Sequence, residues 1–202
     1  MWQQINALHI MVRQAAGGKD PTYNPQKFYE QVKAGSLLFA AITDATLSHG
    51  TGWDFARLGR LIERADKTSR ILDVKYFMLL PSPDDVGGAL DVVQWSALLR
   101  SAGALEMYRQ AHGAITPQQV AEFLILDPLF PRSLNYCLGA AEISLNKVAT
   151  PGNDLARPCA RRLGRLRSQL QFAGIEEIIA AGVHEFLDDF QDKLNAYDQA
   201  LH

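Results

Sequence analysis

Apolar residues recur at spacings of three and four along nearly the whole chain of 202 residues, which is the period of an α-helix. No convincing run alternates apolar and polar residues with a period of two, so a large sheet is excluded. The pattern predicts an all-α array or bundle of about seven to eight helices. The predicted helices cover approximately residues 1–16, 25–49, 51–80, 89–112 and 117–126, a sixth that ends near 148, and then 155–172 and 175–201.

Capping and helix-breaking residues mark the limits of these helices. Asn24 is a good N-cap before Pro25, and Thr116 begins a capping box that ends at Gln119. Turns are predicted near residues 17–21, 81–88 and 150–153. No connection is long enough to separate two domains, so residues 1–202 are expected to form a single helical domain. The second helix is apolar on more than one face and is expected to be central in the core.

The third predicted helix has an apolar seam and a charged face. The seam residues are Phe55, Leu58, Ile62, Ala65, Ser69, Leu72, Tyr76 and Leu79. Opposite the seam, the first half of the helix is charged, whereas the second half carries Ile71, Val74, Phe77 and Met78. A helix that is apolar all round is buried by several neighbours, so the second half is expected to be enclosed. The charged half is expected to emerge from the bundle or to line a cleft.

Charged residues of this helix form two acid-before-base pairs, Glu63 with Lys67 and Asp66 with Arg70. One interpretation is a solvent-exposed face, on which each pair contributes about 0.3–0.5 kcal/mol. The other interpretation is a polar groove in which Glu63 and Arg64 bind a ligand or a partner. The further candidate binding residues on this helix are Arg60, Asp66 and Arg70.

A corner bounded by prolines carries three more candidate binding residues, Asp127, Arg132 and Ser133. Arg132 and Ser133 lie at the first turn of the sixth predicted helix, where free backbone N–H groups can bind an anion. The alternative is a capping arrangement in which Asp127 pairs with Arg132.

Arginines also form a basic stripe near the end of the chain. Its members are Arg157, Arg161, Arg162, Arg165 and Arg167. The stripe is either a solvated face or a surface for an acidic partner, a phosphate or a carboxylate. Nucleic acid is not expected as a partner, because the net charge is −2 and no aromatic residues are interleaved with the arginines.

The composition limits the class of protein. Apolar residues make up 48% of the chain, which is enough to bury a sizeable core. Two cysteines are too few for a disulfide scaffold, which favours a reducing compartment and hence the cytoplasm. The longest apolar stretch without charge, Ala34–Thr43, is too short to cross a membrane. No signal peptide is recognised at the start.

The sequence lacks the spacings on which common catalytic centres depend. Its five histidines are scattered, with no His-Glu-x-x-His segment, so no metal site is expected. Neither a G-x-S-x-G elbow nor a glycine-rich phosphate loop occurs. We therefore expect no cofactor and no nucleotide bound by this chain alone, and no catalytic residue is assigned.

Residues 48–73 resemble a signature of the alpha-E family, a bacterial family of helical domains of unknown function named for its helices and its Glu-Arg motif. The motif is Glu63-Arg64 in this chain, and further matches are Trp95, Leu98-Leu99, Val120–Asp127 and Pro131–Ser133. The resemblance covers nearly the whole chain and implies an all-helical fold. It also implies association with a circularly permuted ATP-grasp protein and a transglutaminase-like peptidase, and hence with a system that ligates and trims peptides or amides.

Members of that family usually carry an earlier copy of the Glu-Arg signature, which this chain lacks. The apolar face of the first helix is therefore expected to be exposed or covered by another chain; it consists of Trp2, Ile5, Leu8 and Val12. A second copy of the chain could cover this face in a two-fold homo-oligomer. Alternatively, the rest of the same chain folds back over it.

Three hypotheses of function follow. The leading one is a helical accessory or substrate-binding subunit of an ATP-grasp-linked ligation system, which holds a partner enzyme, a peptide or an amino acid. The second is an enzyme in which Glu63 is a general acid or base and Arg64 binds a carboxylate. The third is a purely structural helical module.

Overall fold

The computed structural model of the chain describes residues 1–17, 24–78, 88–149 and 156–198. The described residues form ten α-helices and no strand, so the predicted all-α class is confirmed. In chain order the helices are α1 (Trp2–Ala16), α2 (Pro25–Thr46), α3 (Thr51–Met78), α4 (Ala89–Ser101), α5 (Leu105–Ala111), α6 (Pro117–Leu126), α7 (Leu134–Val148), α8 (Ala156–Phe172), α9 (Ile175–Ala181) and α10 (Val183–Asp198). The turns predicted at residues 18–21, 81–87 and 150–153 lie outside the described residues.

Two of the predicted helices are each divided, which accounts for the higher number. The fourth predicted helix is interrupted between α4 and α5, where Gly103 has a φ of 64°. The last is interrupted between α9 and α10, where Gly182 has a φ of 98°. Both values lie outside the right-handed helical region, and glycine adopts them without the steric cost that a Cβ imposes.

The second predicted helix ends earlier than expected, at Thr46 rather than His49. Leu47 is extended, with φ −84° and ψ 128°, so the chain leaves the helical conformation there. The His49 ring stacks on Trp53 with 4.2 Å between centroids, and Trp53 Nε1 donates to Asp44 Oδ1 at 3.3 Å. These side-chain contacts stabilise the turn that leads into α3.

The chain divides into two compact units, Met1–Trp53 and Asp54–His202. In the first unit, α1 packs on α2, and Gln4 Nε2 donates to the carbonyl oxygen of Gly35 at 3.1 Å. A Cβ at position 35 would collide with the Leu8 side chain, so the glycine permits this close approach. The expectation that α2 is central in the core is wrong, because its buried residues are only Gly35 and Thr43.

In the second unit, α6 and α7 are the most buried helices. The side chain of α6 residue Leu124 and those of Leu134, Leu138 and Leu145 on α7 are almost inaccessible to solvent. Along its length α7 packs on α8, and α6 contacts α4, α7, α8 and α9. This arrangement encloses one continuous apolar cluster that also includes the seam of α3.

The predicted seam of α3 is confirmed over most of its length. Leu58, Ile62, Ala65, Ser69 and Leu72 are buried, whereas Phe55 near the start is 48% exposed. Leu79 lies outside the described residues.

The expectation that the second half of α3 is enclosed is wrong at Val74, which is 47% exposed. The neighbouring residue Lys75 is buried instead, because its ammonium group forms an ion pair with Asp91 of α4. The side chains of Phe77 and Met78 are not described. Among the described residues, no helix combines the length and apolar character needed to cross a membrane.

Candidate functional site

Glu63 and Arg64 are adjacent on α3, and their side chains reach different surroundings. Successive residues of an α-helix point about 100° apart. Glu63 lines a cleft beside Leu194 and Asn195 of α10. Arg64 Nη1 instead donates to the carbonyl oxygen of Pro131 at 3.0 Å. The two residues of the Glu-Arg motif therefore contribute to two separate polar surfaces of the second unit.

The first surface is the acidic cleft, formed by Glu63 and Asp66 with Gly59, Ile62, Leu194 and Asn195 around a volume of ≈ 170 Å³. Gly59 contributes no side chain and has open space at its Cβ position. The Glu63 side chain is exposed and makes no hydrogen bond or ion pair within the part of the chain that the structure describes. The cleft thus presents one unpaired carboxylate.

The predicted pair of Asp66 and Arg70 is confirmed. Arg70 Nε donates to both carboxylate oxygens of Asp66 at 3.0 Å, and Arg70 Nη2 lies 2.9 Å from Oδ1. This hydrogen bonding raises the pKa of Arg70. The predicted pair of Glu63 and Lys67 does not form, because Lys67 Nζ lies 3.5 Å from Asp66 Oδ2. Asp66 is therefore the common partner of both neighbouring cations.

The second surface is the basic corner, which consists of Arg64, Pro131 and Arg132. Arg132 lies over Gly103, where a Cβ would be 3.7 Å from the guanidinium Nε. Burial lowers the pKa of Arg132, and the positive charge of Arg64 lowers it further. Within the described ranges, no carboxylate forms an ion pair with either of the two arginines. The basic corner therefore brings two cations together without a counter-ion.

Asp127 and Ser133 form hydrogen bonds within the corner. Asp127 Oδ1 accepts hydrogen bonds from the backbone N–H groups of Leu129 at 2.8 Å and Phe130 at 2.7 Å. Ser133 Oγ donates to the Asp127 carbonyl oxygen and accepts from Tyr136 N at 3.0 Å, which makes Ser133 the N-cap of α7. The capping interpretation is confirmed, but the pairing of Asp127 with Arg132 is wrong because the Asp127 carboxylate is engaged by backbone.

Cys137 lies beneath the basic corner, and its Sγ is 3.5 Å from the Pro131 carbonyl oxygen. Burial raises the pKa of Cys137 to about 12, although the charges of Arg64 and Arg132 act in the opposite direction. The thiol is therefore protonated at neutral pH and serves as part of the core.

Arg60, one helical turn before Arg64, is partly buried.

The basic stripe is divided between two sides of α8. Arg161 and Arg165 are exposed, and Arg162 Nη1 donates to the Ala196 carbonyl oxygen of α10 at 3.2 Å. Arg167 turns towards α7 and forms an ion pair with Glu142. The side chain of Arg157 lies outside the described residues.

The local sequence pattern does not predict the long-range ion pairs of α3, two of which are the closest. Lys75 pairs with Asp91, and His184 Nδ1 of α10 lies 2.7 Å from Asp73 Oδ1. Both join residues that are distant in sequence, and neither has a local spacing that would reveal it. Among the described residues, no group of three or more His, Cys, Asp or Glu side chains could hold a metal ion.

Comparison with known proteins gives one family. The Alpha-E family model matches residues 1–202, and its description is a predicted alpha-helical domain with a conserved ER motif. No curated protein and no solved structure matches the chain.

Proposed function

Because the chain belongs to the Alpha-E family, we propose that it is a helical accessory subunit that binds a substrate or partner in a peptide- or amide-ligating system. The proposed partners are an ATP-grasp protein and a transglutaminase-like peptidase, and the proposed substrate is a peptide or an amino acid. Since an ATP-grasp enzyme draws on cellular ATP, the proposed place of action is the cytoplasm.

The basic corner is the observation that carries this proposal. Arg132 is partly buried next to a second guanidinium, and both effects lower its pKa. A carboxylate bound here would offset the cost of burial and the repulsion between Arg64 and Arg132. The planar fork of a guanidinium matches a carboxylate with two parallel hydrogen bonds, so an acidic side chain or a chain end is the expected occupant.

The local backbone supports a fixed position for Arg132. Asp127 accepts two backbone hydrogen bonds immediately before the residue, and Ser133 caps α7 immediately after it. Asn135 Nδ2 adds a hydrogen bond of 2.9 Å to the Leu126 carbonyl oxygen. A backbone that is held in place limits the positions that the guanidinium can reach, so less freedom is lost on binding, which favours recognition.

The test is calorimetric titration of the purified chain with an ATP-grasp protein of the proposed circularly permuted class. Binding is expected, and Arg64→Gln and Arg132→Gln should each weaken it at least about tenfold. A hydrogen bond to a charged group contributes about 1.5–3 kcal/mol, and about 1.4 kcal/mol corresponds to a factor of ten in affinity. Arg13→Gln is the matched control, because Arg13 is exposed on α1 and belongs to none of the proposed binding surfaces.

Absence of binding to the ATP-grasp protein would contradict the proposed partnership. Equal affinity for wild type and Arg132→Gln would contradict the role of the basic corner. If the ATP-grasp protein, the transglutaminase-like peptidase and free peptides all fail to bind in such titrations, the purely structural module becomes the better description.

The acidic cleft favours a second candidate function, an enzyme in which Glu63 is a general acid or base. Its carboxylate lies next to Asp66 and has no partner in the described part of the chain. In this alternative, Arg64 binds a carboxylate of a substrate that extends from the acidic cleft to the basic corner. Glu63→Gln separates the two functions. If the chain is the enzyme, this variant should abolish turnover by the assembled system. If the chain is an accessory subunit, turnover should stay intact.

A further inference from the structure

A groove of ≈ 250 Å³ lies between α8 and α10, at residues that the proposed function does not use. Leu163 and Leu166 of α8 and Tyr197 of α10 form its apolar wall, and all three side chains are buried. The charged residues that line the groove are Arg162, Arg165 and Lys193. The α8–α10 groove therefore combines an apolar wall with cations, two of which belong to the basic stripe.

Two hydrogen bonds between the helices hold the sides of the groove. Arg162 Nη1 donates to the Ala196 carbonyl oxygen at 3.2 Å, and Lys193 Nζ donates to Gln169 Oε1 at 3.2 Å. The Ala196 carbonyl belongs to the last turn of α10, where the helix itself supplies no N–H donor. A guanidinium has five N–H donors, so Arg162 can bind this carbonyl and still bind a second acceptor.

The charges along the groove do not cancel. Lys193 Nζ lies 2.6 Å from Asp189 Oδ2, so the lysine is paired within α10. Arg162 and Arg165 form no ion pair within the part of the chain that the structure describes. The exposed charged residues that adjoin Arg162 and Lys193 in sequence are Arg161 and Asp192. They are opposite in sign, so two positive charges remain among the described residues at the groove, although the chain has a net charge of −2.

Volume and charge indicate the kind of ligand. Pockets for small molecules have about 300–1,000 Å³, so a groove of ≈ 250 Å³ fits a single apolar side chain better than a whole small molecule. Guanidinium groups bind carboxylates through paired hydrogen bonds. We propose that the α8–α10 groove binds an acidic peptide segment of a partner protein, with one apolar side chain against the wall and flanking carboxylates on Arg162 and Arg165.

The groove shares no residue with the basic corner or the acidic cleft, so the proposal does not depend on the function proposed above. The probe is the peptide acetyl-Glu-Glu-Leu-Glu-Glu-amide. One counterpart has glutamine in place of every glutamate, and the other has alanine in place of leucine. NMR titration of the isotope-labelled full chain at millimolar peptide concentration follows the backbone amide signals of residues 162–169 and 193–197, which separates the groove from any other site.

The probe should shift these signals as it binds. The glutamine counterpart should bind at least about threefold more weakly, because it lacks the charges that pair with the arginines. The alanine counterpart should also bind at least about threefold more weakly, because it buries less apolar surface.

Variants of the groove test the charges and the apolar wall separately. Arg162→Gln and Arg165→Gln should each weaken binding of the probe about threefold, as expected when a partly exposed ion pair is lost. Ala196 is exposed where it lines the groove, so Ala196→Trp fills the groove, keeps every charge and should weaken binding as well. Arg109→Gln, which removes an exposed arginine of α5, is the matched control and should bind like wild type.

Equal binding of the probe and its glutamine counterpart overturns the proposal, as does wild-type affinity in a folded Ala196→Trp variant. Shifts confined to residues outside the groove also overturn it. A single-stranded oligonucleotide that binds the same residues more tightly than the probe would assign the groove to nucleic acid instead. Arg132→Gln, the decisive variant for the proposed function, should leave binding at the groove unchanged, so the two proposals fail independently.

Discussion

Lys75 Nζ lies 2.7 Å from Asp91 Oδ1, and the two side chains are only 3% and 2% exposed. The same ammonium group donates to Gln94 Oε1 at 2.6 Å and lies 5.3 Å from the centroid of the Trp95 ring. Burial, together with the charge of Asp91, raises the pKa of the adjacent Tyr76 to about 12. A buried ion pair thus joins α3 to α4 within the apolar cluster of the second unit.

Removing one member of this pair is expected to be costly. In Asp91→Ala the ammonium of Lys75 stays buried without its carboxylate, and the free energy of unfolding should fall by about 3–5 kcal/mol. Urea denaturation followed by circular dichroism measures the change. The matched control is Lys67→Ala, which removes an exposed partner of Asp66 and should cost about 0–1 kcal/mol.

The double variant Lys75→Met/Asp91→Leu should recover much of the stability, because it removes both buried charges and keeps similar volumes. A loss below about 1 kcal/mol in Asp91→Ala would show that the lysine reaches water, contrary to the observed burial.

The pair of His184 and Asp73 predicts a pH dependence of stability. The hydrogen bond to Asp73 raises the pKa of His184, and the charges of Asp73, Glu185 and Asp188 act in the same direction. A group whose pKa is raised on folding stabilises the fold fully below its unfolded pKa of about 6.5. That stabilisation is lost as the pH rises through the higher folded pKa.

Unfolding midpoints are measured at about pH 5.5 and about pH 8.5, which lie below and above the pH range in which histidine titrates. Their difference gives this contribution. Wild type should lose stability relative to His184→Gln on going to the higher pH. Asp73→Asn should reduce the loss of stability between the two pH values as His184→Gln does, because it removes the hydrogen bond that is the largest cause of the raised pKa of His184. A pH dependence identical in wild type and His184→Gln would exclude the histidine as its source.

Substitution of glycine by alanine is expected to have opposite effects on stability at Gly182 and at Gly59. Gly182 has a φ of 98°, and a Cβ there would collide with the Glu185 carboxylate, so Gly182→Ala should destabilise by about 1–3 kcal/mol. Gly59 lies within α3 with nothing within 4 Å of its Cβ position, so Gly59→Ala should stabilise by about 0.5–1 kcal/mol. Thermal unfolding of both variants gives the comparison, and a stabilising Gly182→Ala would contradict the observed backbone conformation.

The sequence predicts helices well and helix breaks less well. The apolar spacing of α3 identifies its buried seam, and the caps at Asn24 and Thr116 accept the expected hydrogen bonds from Lys27 N and Gln119 N. These signals are local. Gly103 and Gly182 lie within long periodic stretches. A glycine at such a position is compatible with a continuous helix and with a helix break, because its φ depends on tertiary packing.

The candidate site was predictable only where contacts are local in sequence. Asp66 and Arg70 are one turn apart, so their pair follows from spacing. The bond from Arg64 to the Pro131 carbonyl oxygen joins residues 67 positions apart and follows only from the packing of the second unit. Likewise, an inward lysine such as Lys75 has no signal in the helical pattern, since its partner Asp91 belongs to another helix.

The exposed apolar face of α1 leads to a last prediction, of self-association. Trp2 is 76% exposed, Ile5 42% and Val12 44%, although Leu8 packs beside Gly35 of α2. Burying such side chains contributes about 1.5–3 kcal/mol each, and a second copy of the chain can cover them in a two-fold interface. Sedimentation at micromolar concentration should therefore show a species heavier than 22.4 kDa. Trp2→Ser/Ile5→Ser should shift the population to monomer, whereas Leu129→Ser, which removes an exposed apolar side chain outside α1, should leave it unchanged. A wild-type chain that sediments only as monomer would exclude the homo-oligomer.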